Sequence, residues 1–155
     1  MSESDREHYT DSYMYIIEQT CICCLEAAKQ FFKNNNIPIT YNEFIALDTI
    51  IVNDGICQID LAKLILKDRS FTSRVIDSLE ERGMVERRSE TKNKKLVKNV
   101  YITEKGKGLI NHFSPILRKM AKDLFNEVPR EEIDTMKETL LKIKDYGTKI
   151  VTMKI

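Results

Sequence analysis

The stretch from Asp68 to Thr103 constrains the fold of this chain more than any other part of its sequence. Its first half has the apolar spacing of an amphipathic helix, and the apolar side would carry Phe71, Val75, Ile76 and Leu79. The opposite side carries short polar side chains and arginines, and Gly83 stands where such a helix would end. Two segments with strand-type residues follow, with a lysine-rich stretch between them. The pattern predicts a helix and, directly after it, a two-stranded β-wing.

The residues before this stretch predict a helix-turn-helix. One helix begins near Thr40 and ends near Asn53, and a short helix follows over residues 58–66. Because Asp68 can accept hydrogen bonds from the first free N–H groups of a helix, we expect the next helix to begin directly after it. Two short helices joined by a tight turn, the second with exposed polar side chains, form the helix-turn-helix arrangement.

Helices are also predicted on both sides of this central part. A long helix is expected over residues 11–33, and its apolar residues extend beyond one face, which is typical of a helix that is central or shared with a second subunit. After the wing, Thr103 is expected to cap a helix that contains Pro115 and runs to about Asn126. A last helix is expected to begin at Pro129. The predicted fold class is therefore mainly α with a small β-wing.

The wing is predicted from a change in residue type. Residues 84–88 and 96–103 contain strand-type residues, whereas residues 89–95 have no apolar side chain and are expected to form an exposed tip. Between Met84 and Lys98 six basic residues stand against two acidic ones, although the net charge of the whole chain is only +1. A nearly neutral protein with one local basic patch has the charge distribution of a polyanion-binding protein.

The sequence does not support other function classes. No apolar run reaches the roughly 20 residues that a membrane-spanning helix needs, and the polar, acidic N-terminus is unlike a secretory signal, so we expect a cytoplasmic protein with no membrane partner. The four cysteines are then expected to be reduced thiols, and their spacing is not that of a paired zinc motif. No nucleophile–histidine–carboxylate spacing, phosphate-binding loop or dinucleotide-binding motif occurs. The sequence therefore predicts no enzyme, no cofactor and no metal site.

Two segments carry a resemblance to a known family. They are the run TSRVIDSLEERGMVER at residues 72–87 and the run ITEKG at residues 102–106. With these runs at this separation, the chain resembles the MarR family of bacterial transcription regulators from about residue 11 to residue 150. The resemblance implies a winged helix-turn-helix with N- and C-terminal dimerisation helices. The domains would be an N-terminal dimerisation helix in residues 1–36, a DNA-binding domain in residues 37–103, and C-terminal dimerisation helices in residues 104–155.

The resemblance also implies partners and a mode of action. It implies a homodimer on double-stranded DNA, with the fourth helix in the major groove and the wing in the adjacent minor groove. We expect a repressor on a pseudopalindromic operator, with its two recognition helices about one helical turn apart. A small aromatic or lipophilic effector is implied as well, in a pocket between the dimerisation helices and the winged helix. The residues expected to line that pocket are Tyr13, Ile17, Phe44, Leu47 and His112.

The residues expected to contact DNA lie on the fourth helix and on the wing. On the helix, hydroxyl and guanidinium groups can reach base edges or phosphates; on the wing, basic side chains can neutralise phosphates. The alternatives are an ordinary solvated helix face and a charged hairpin that resists aggregation. The predicted set is Arg69, Ser70, Thr72, Ser73, Arg74, Arg87, Arg88, Lys92, Lys94, Lys95 and Lys98.

The tip of the wing departs from the family pattern. The family usually has an Asp-x-Arg pattern there, with the arginine in the minor groove, whereas this chain has Asn93-Lys94-Lys95. Lysine is a strongly hydrated point charge and lacks the planar fork of arginine. The wing is therefore expected to bind phosphate but to discriminate less between DNA sequences.

Three cysteines close together in the sequence allow an alternative function. Some members of the family sense peroxides through a cysteine near the N-terminus, and Cys21, Cys23 and Cys24 lie within the first predicted helix. Cys21 and Cys24 fall on its apolar stripe, where a buried cysteine behaves as a small hydrophobe. Core packing is therefore the first interpretation, and a redox-sensing regulator of the same fold is the second. A winged-helix module that binds only other proteins is a further alternative.

Overall fold

The elements of the computed structural model follow the predicted order of helices and strands. The described residues are 8–92 and 95–150, and the side chains of Lys92 and Lys95 also lie outside the description. The chain divides into two compact units, of which the first ends at Tyr41 and the second begins at Asn42. After a short 3-10 helix, Tyr9–Asp11, the elements are α1 Tyr13–Asn34, α2 Tyr41–Val52, β1 Ile56–Cys57, α3 Gln58–Leu64, α4 Arg69–Glu81, β2 Val85–Lys92, β3 Lys95–Ile102, α5 Glu104–Leu124 and α6 Arg130–Ile150. The predicted fold class, mainly α with a small β-wing, is confirmed.

The long helix α1 leaves most of its apolar residues exposed. It begins after Ser12, whose side-chain oxygen accepts a hydrogen bond from the Tyr15 N–H at 3.2 Å. Only Ala28 and Phe32 are buried along its length, and the Phe32 ring packs edge-on against Tyr41 with 5.8 Å between ring centroids. The exposed large apolar residues of this helix are Tyr13, Met14, Ile16, Ile22 and Leu25. This distribution agrees with the prediction of an apolar surface wider than one core contact needs.

Helices α2, α3 and α4 form the predicted helix-turn-helix, and they supply most of the core of the second unit. The largest fully buried apolar side chains, from these helices and the wing strands, are Leu47, Ile50, Leu61, Ile76, Leu79, Val85 and Val100. The turn between α3 and α4 places Leu66 in the left-handed region, with φ 53°. Asp68 then caps α4, because its carboxylate accepts a hydrogen bond from the Phe71 N–H at 2.7 Å.

The sheet is larger than the predicted two-stranded wing. Its strand order is β1-β3-β2, and both pairings are antiparallel. The pairing of β2 with β3 runs from Val85 opposite Ile102 to Lys92 opposite Lys95. The prediction of a tip over residues 89–95 was therefore wrong, because a solvent-exposed ribbon is held by backbone hydrogen bonds and does not need apolar side chains. Strand β1 was not predicted.

Helix α5 is attached to the wing by its cap. The Thr103 hydroxyl accepts a hydrogen bond from the Gly106 N–H at 3.2 Å and donates one to the Gly83 carbonyl at 2.7 Å. A Cβ on Gly106 would lie 2.3 Å from the carbonyl oxygen of Met84, so only glycine fits at this position of the ITEKG run. The last helix, α6, has no buried residue. Along the part of the chain that the structure describes, no helix combines the length and the apolar character needed to cross a membrane.

Candidate nucleic-acid interface

The N-terminal half of α4 presents four of the predicted DNA-contacting residues. Arg69, Ser70 and Arg74 are exposed and Ser73 is half-buried, whereas Val75 on the opposite side is buried. This division follows from the helical period, because residues three and four apart share a face. The side chains that can reach a nucleic acid thus project from a helix whose other side is held in the core.

Thr72 is a correction to the predicted set. Its side chain is fully buried, and its hydroxyl donates a hydrogen bond to the Asp68 carbonyl at 2.9 Å. Thr72 lies one helical turn before Ile76, on the apolar side of α4, and therefore cannot face a nucleic acid. Its polar character suggested exposure, but the helical spacing in the sequence already placed it among the buried residues.

Arg87 has internal partners, which the sequence prediction did not give it. Its guanidinium group forms ion pairs with Asp77, at 2.7 Å, and with Glu80, and its backbone N–H donates to the Glu80 carboxylate at 2.8 Å. The side-chain hydrogen bond from Arg87 lowers the pKa of Glu80, and the same bond raises the pKa of Arg87. Because its charge is already paired, Arg87 joins β2 to α4 and is a poor candidate for a free phosphate contact.

The outer part of the wing carries exposed cations. Arg88 and Lys98 are both exposed. Arg88 pairs with Glu86 and lies over the Tyr101 ring, with 4.3 Å from its Cζ atom to the ring centroid. Lys94 lies outside the described residues, and the side chains of Lys92 and Lys95 do so as well, so their predicted phosphate contacts remain predictions.

A polar cluster stiffens the same part of the wing. The Glu90 carboxylate accepts hydrogen bonds from the Tyr101 hydroxyl at 2.6 Å and from the Asn99 side-chain amide at 2.9 Å. The bond to Glu90 raises the pKa of Tyr101, because it stabilises the protonated phenol. Since Glu90 lies on β2 and its two partners lie on β3, the cluster links the two strands through their side chains.

A cleft of about 340 Å³ brings several predicted residues together. It is lined by Arg69 and Ser73 from α4 and by Arg87 and Lys98 from the wing strands. Residues that the sequence analysis did not assign to the interface also line it: Cys57, Gln58, Ile59, Leu96 and Val97. No local signal marked them, since their position follows from the pairing of β1 with β3. The cleft thus places residues of α4 and residues of the wing in one region.

The five residues of the predicted effector pocket differ in their exposure. Tyr13 is exposed and Ile17 half-buried in the first unit, while in the second unit Phe44 is half-buried, Leu47 is fully buried and His112 is exposed. The His112 ring packs edge-on against Phe113 with 4.7 Å between centroids. Their assembly into one pocket remains a prediction.

The cysteines of α1 differ from the expectation of core packing. Cys21 and Cys23 are exposed, Cys24 is half-buried, and all three are free thiols. Burial raises the pKa of Tyr41, and Cys24 and Cys21 raise it further, which puts both cysteines in electrostatic reach of its hydroxyl. Within residues 8–92 and 95–150 there is no group of three or more His, Cys, Asp or Glu side chains that could hold a metal ion.

Comparisons with known sequences agree with this architecture. Residues 39–97 match the model of the MarR family. YybA, an uncharacterized HTH-type transcriptional regulator of Bacillus subtilis (strain 168), is 34% identical over 84 residues, which are 54% of this chain and 53% of that protein. The chain thus spans about half the length of this curated relative.

Solved structures of similar fold cover most of the chain. The transcriptional regulator SlyA matches with a TM-score of 0.74 and 25% identity, over 88% of this chain and 94% of that one. MepR of S. aureus, in its complex with DNA, matches with a TM-score of 0.73 and 23% identity, over 87% of this chain and 98% of that one. The structural likeness therefore extends well beyond residues 39–97.

Proposed function

We propose that the chain is a transcription regulator of the MarR family, whose model matches residues 39–97, and that it binds operator DNA as a homodimer and represses transcription. One observation carries the proposal: the exposed Arg69 and the half-buried Ser73 of α4 border the same cleft as the exposed Lys98 of the wing. The recognition helix would enter the major groove, and the wing would contact the adjacent backbone and minor groove.

The positions of the positive charges suit these two kinds of contact, with bases through α4 and with the DNA backbone through the wing. Arg74 projects from the exposed side of α4, where a guanidinium group can bind guanine O6 and N7 through two hydrogen bonds. Arg69 from α4 and Lys98 from the wing both line the cleft, and both are suited to phosphates. With Arg87 paired with Asp77 and Glu80, and Arg88 paired with Glu86, we propose that attraction of the wing to the DNA backbone depends mainly on Lys92, Lys94, Lys95 and Lys98.

The homodimer is supported by the unpartnered apolar residues of α6. They alternate at spacings of three and four along the helix, a pattern typical of a seam between two helices. The members of this seam are Ile133, Met136, Leu140, Ile143, Gly147 and Ile150, and the five apolar side chains are exposed or half-buried. The exposed apolar residues of α1 are also proposed to face a second copy of the chain. A two-fold symmetric dimer would read a pseudopalindromic site.

Release by an effector completes the proposal and rests on membership of the family. The effector would be a small aromatic or lipophilic molecule. The residues proposed to hold it are Tyr13, Ile17, Phe44, Leu47 and His112. Its binding would alter the separation of the two recognition helices and would leave each winged helix folded.

The test is a selection of DNA by the purified protein. A pool of duplexes with a randomised central segment is bound, recovered and amplified over several rounds, and an enriched sequence with two related half-sites is expected. Binding to the enriched duplex is then measured by fluorescence anisotropy over a range of salt concentrations. Log affinity should fall linearly with log salt, with a slope of about −0.9 for each phosphate neutralised.

Three variants separate the roles of the side chains. Arg74→Ala should weaken binding to the enriched duplex by about 1–3 kcal/mol and relax sequence preference. Lys98→Ala should weaken binding to all duplexes alike and reduce the salt slope by about 0.9. The control is Arg130→Ala, which removes one exposed positive charge from α6 and should change neither quantity. Failure to enrich any sequence, or binding without salt dependence, would contradict the proposal and favour a protein-interaction module.

A further inference from the structure

A polar network at the C-terminal end of α4 joins the recognition helix to α2. The Glu43 carboxylate, in the first turn of α2, accepts a hydrogen bond from the Ser78 hydroxyl at 2.7 Å and forms an ion pair with the Arg82 guanidinium group. The Arg82 side chain also donates to the Ser78 hydroxyl at 3.2 Å and to the Ser78 carbonyl at 3.1 Å. Glu43, Ser78 and Arg82 are thus each bonded to the other two.

The network is well shielded from water. The Glu43 side chain is 9% exposed and the Arg82 side chain 33% exposed. By contrast, the side chains of the exposed ion pair Glu104–Lys107 in α5 are 89% and 40% exposed. A shielded carboxylate has already lost much of its hydration, and its bonds to Ser78 and Arg82 offset that cost. Because a change in geometry would break these bonds, the network has a strong preference for one geometry.

The network lies where it can control the orientation of α4, the helix proposed to read DNA. Ser78 lies one helical turn after Arg74, and Arg82 is the C-cap residue of α4. The Arg82 carbonyl also accepts a hydrogen bond from the Lys105 ammonium group of α5 at 2.7 Å. Apolar packing on the buried side of α4 is non-directional, whereas charged hydrogen bonds fix direction as well as distance. The network therefore restricts rotation of α4 about its own axis.

We propose that Glu43 and Arg82 are positioning residues for sequence discrimination: by fixing the rotation of α4 against α2, they hold the base-reading side chains in register with the major groove. The inference rests on the proposed function, since it assumes that α4 reads DNA. Recognition groups need to be held within about 0.5 Å and 10–20° of their productive geometry. A small rotation of α4 would therefore weaken contacts to base edges, while contacts to phosphates would tolerate it.

The test compares discrimination with general DNA affinity. The probes are the duplex enriched by the wild-type protein and a duplex of the same composition with the central sequence scrambled. Glu43→Gln keeps the shape of the side chain but removes its charge. We expect the ratio of the two dissociation constants to fall at least tenfold, with affinity for the scrambled duplex changed less than twofold and the salt slope unchanged. Glu104→Gln, the same change in the exposed pair, should leave the ratio unchanged.

A second variant remains informative if Glu43→Gln fails to fold. Glu43→Met combined with Arg82→Met replaces both charges by apolar side chains of similar length, a change that proteins often accept without loss of stability. Its folding is checked by circular dichroism and thermal melting. A folded double variant with reduced discrimination supports the proposal, and its own selection from the randomised pool should give a broader sequence motif. A folded double variant with wild-type discrimination would overturn it, because the pair would then serve stability alone.

The two proposals fail in different ways. If the wild-type protein enriches no sequence, then the proposed function fails, and the positioning role falls with it. If the wild-type protein discriminates strongly and the folded variants do so equally, then only the positioning role is refuted.

Discussion

The winged-helix part of the chain and its last helix use apolar residues in opposite ways. Between α2 and β3, large side chains such as Leu47, Ile76 and Leu79 have no exposed surface. In α6 no residue is buried, and Leu140, Ile143 and Tyr146 are 41%, 50% and 67% exposed. Both parts have apolar residues at helical spacing, so the difference lies in what covers them. The winged helix has a buried core of its own, whereas the described residues do not bury α6, and a second copy of the chain is the surface proposed to cover it.

This difference separates two kinds of stability. A winged helix with its own core should unfold at a temperature set by that core, independently of protein concentration. Helices that complete their burial only in an assembly should respond to concentration, because association stabilises the folded form by mass action.

The largest effect is expected in the winged-helix core. Leu79 is fully buried on α4, and its replacement by alanine removes buried methyl groups and leaves a cavity. Leu79→Ala should lower the free energy of unfolding by about 2–5 kcal/mol, as measured by urea denaturation followed by circular dichroism. The loss should be the same at every protein concentration. A matched control is Leu64→Ala, since Leu64 is 58% exposed at the end of α3 and should cost much less.

The core could be predicted from the sequence because its signals are local. The 3.6-residue period places Val75, Ile76 and Leu79 on one side of α4, and the same period places Thr72 with them. The caps Asp68 and Thr103 are equally local, since each accepts from an N–H three residues further along. The polarity of Thr72 favours a DNA contact, whereas its place in the helical period favours burial, and its side chain is buried.

The features that the sequence did not predict depend on contacts between residues in different helices and strands. Strand β1 exists only because Ile56 pairs with Val100 on β3. The Glu43 carboxylate finds Ser78 and Arg82 on a different helix, and Arg87 finds Asp77 on α4. No periodicity within one element encodes such pairs. The sequence therefore shows which residues of an interface are polar. It does not show as readily which of these residues already form ion pairs or hydrogen bonds within the fold.

The next effect is expected in α6. Replacing Leu140 and Ile143 together by glutamate introduces charges into the proposed seam and removes about 2 kcal/mol of apolar burial from it, given that part of each side chain is already covered. Analytical ultracentrifugation should find the double variant monomeric and the wild type dimeric. Its melting temperature should no longer rise with protein concentration, and its affinity for the enriched duplex should fall at least tenfold.

The control for this variant lies on the same helix. Lys142→Glu also introduces a carboxylate, on the row of polar residues that contains Glu138 and Asp145. It should leave the wild-type dimer and its concentration dependence intact. A dimeric Leu140→Glu, Ile143→Glu variant would show that the exposed residues of α6 are covered by something other than a second copy of the chain.

The smallest effect is expected where β2 is joined to α4. Arg87→Met removes the ion pairs with Asp77 and Glu80. Because both carboxylates are about one-third to one-half exposed, the loss in the free energy of unfolding at neutral pH should be only about 1 kcal/mol.

The pKa of Glu80 is lowered from its ordinary value of 4.5 by its bond to Arg87. The contribution of this pair is therefore present above that value and is lost as the pH falls through the lowered pKa. In urea denaturation, wild type and Arg87→Met should therefore become equally stable once the pH is below the lowered pKa of Glu80. The control, Arg88→Met on the same strand, should differ little from wild type at any pH. If the difference in the free energy of unfolding between wild type and Arg87→Met stays constant on acidification, then the loss is due to packing of the side chain and not to its charge.

DNA binding provides a second check on the same residue. Lys98→Ala should reduce the salt slope by about 0.9, whereas Arg87→Met should not, because the Arg87 charge is already neutralised within the fold.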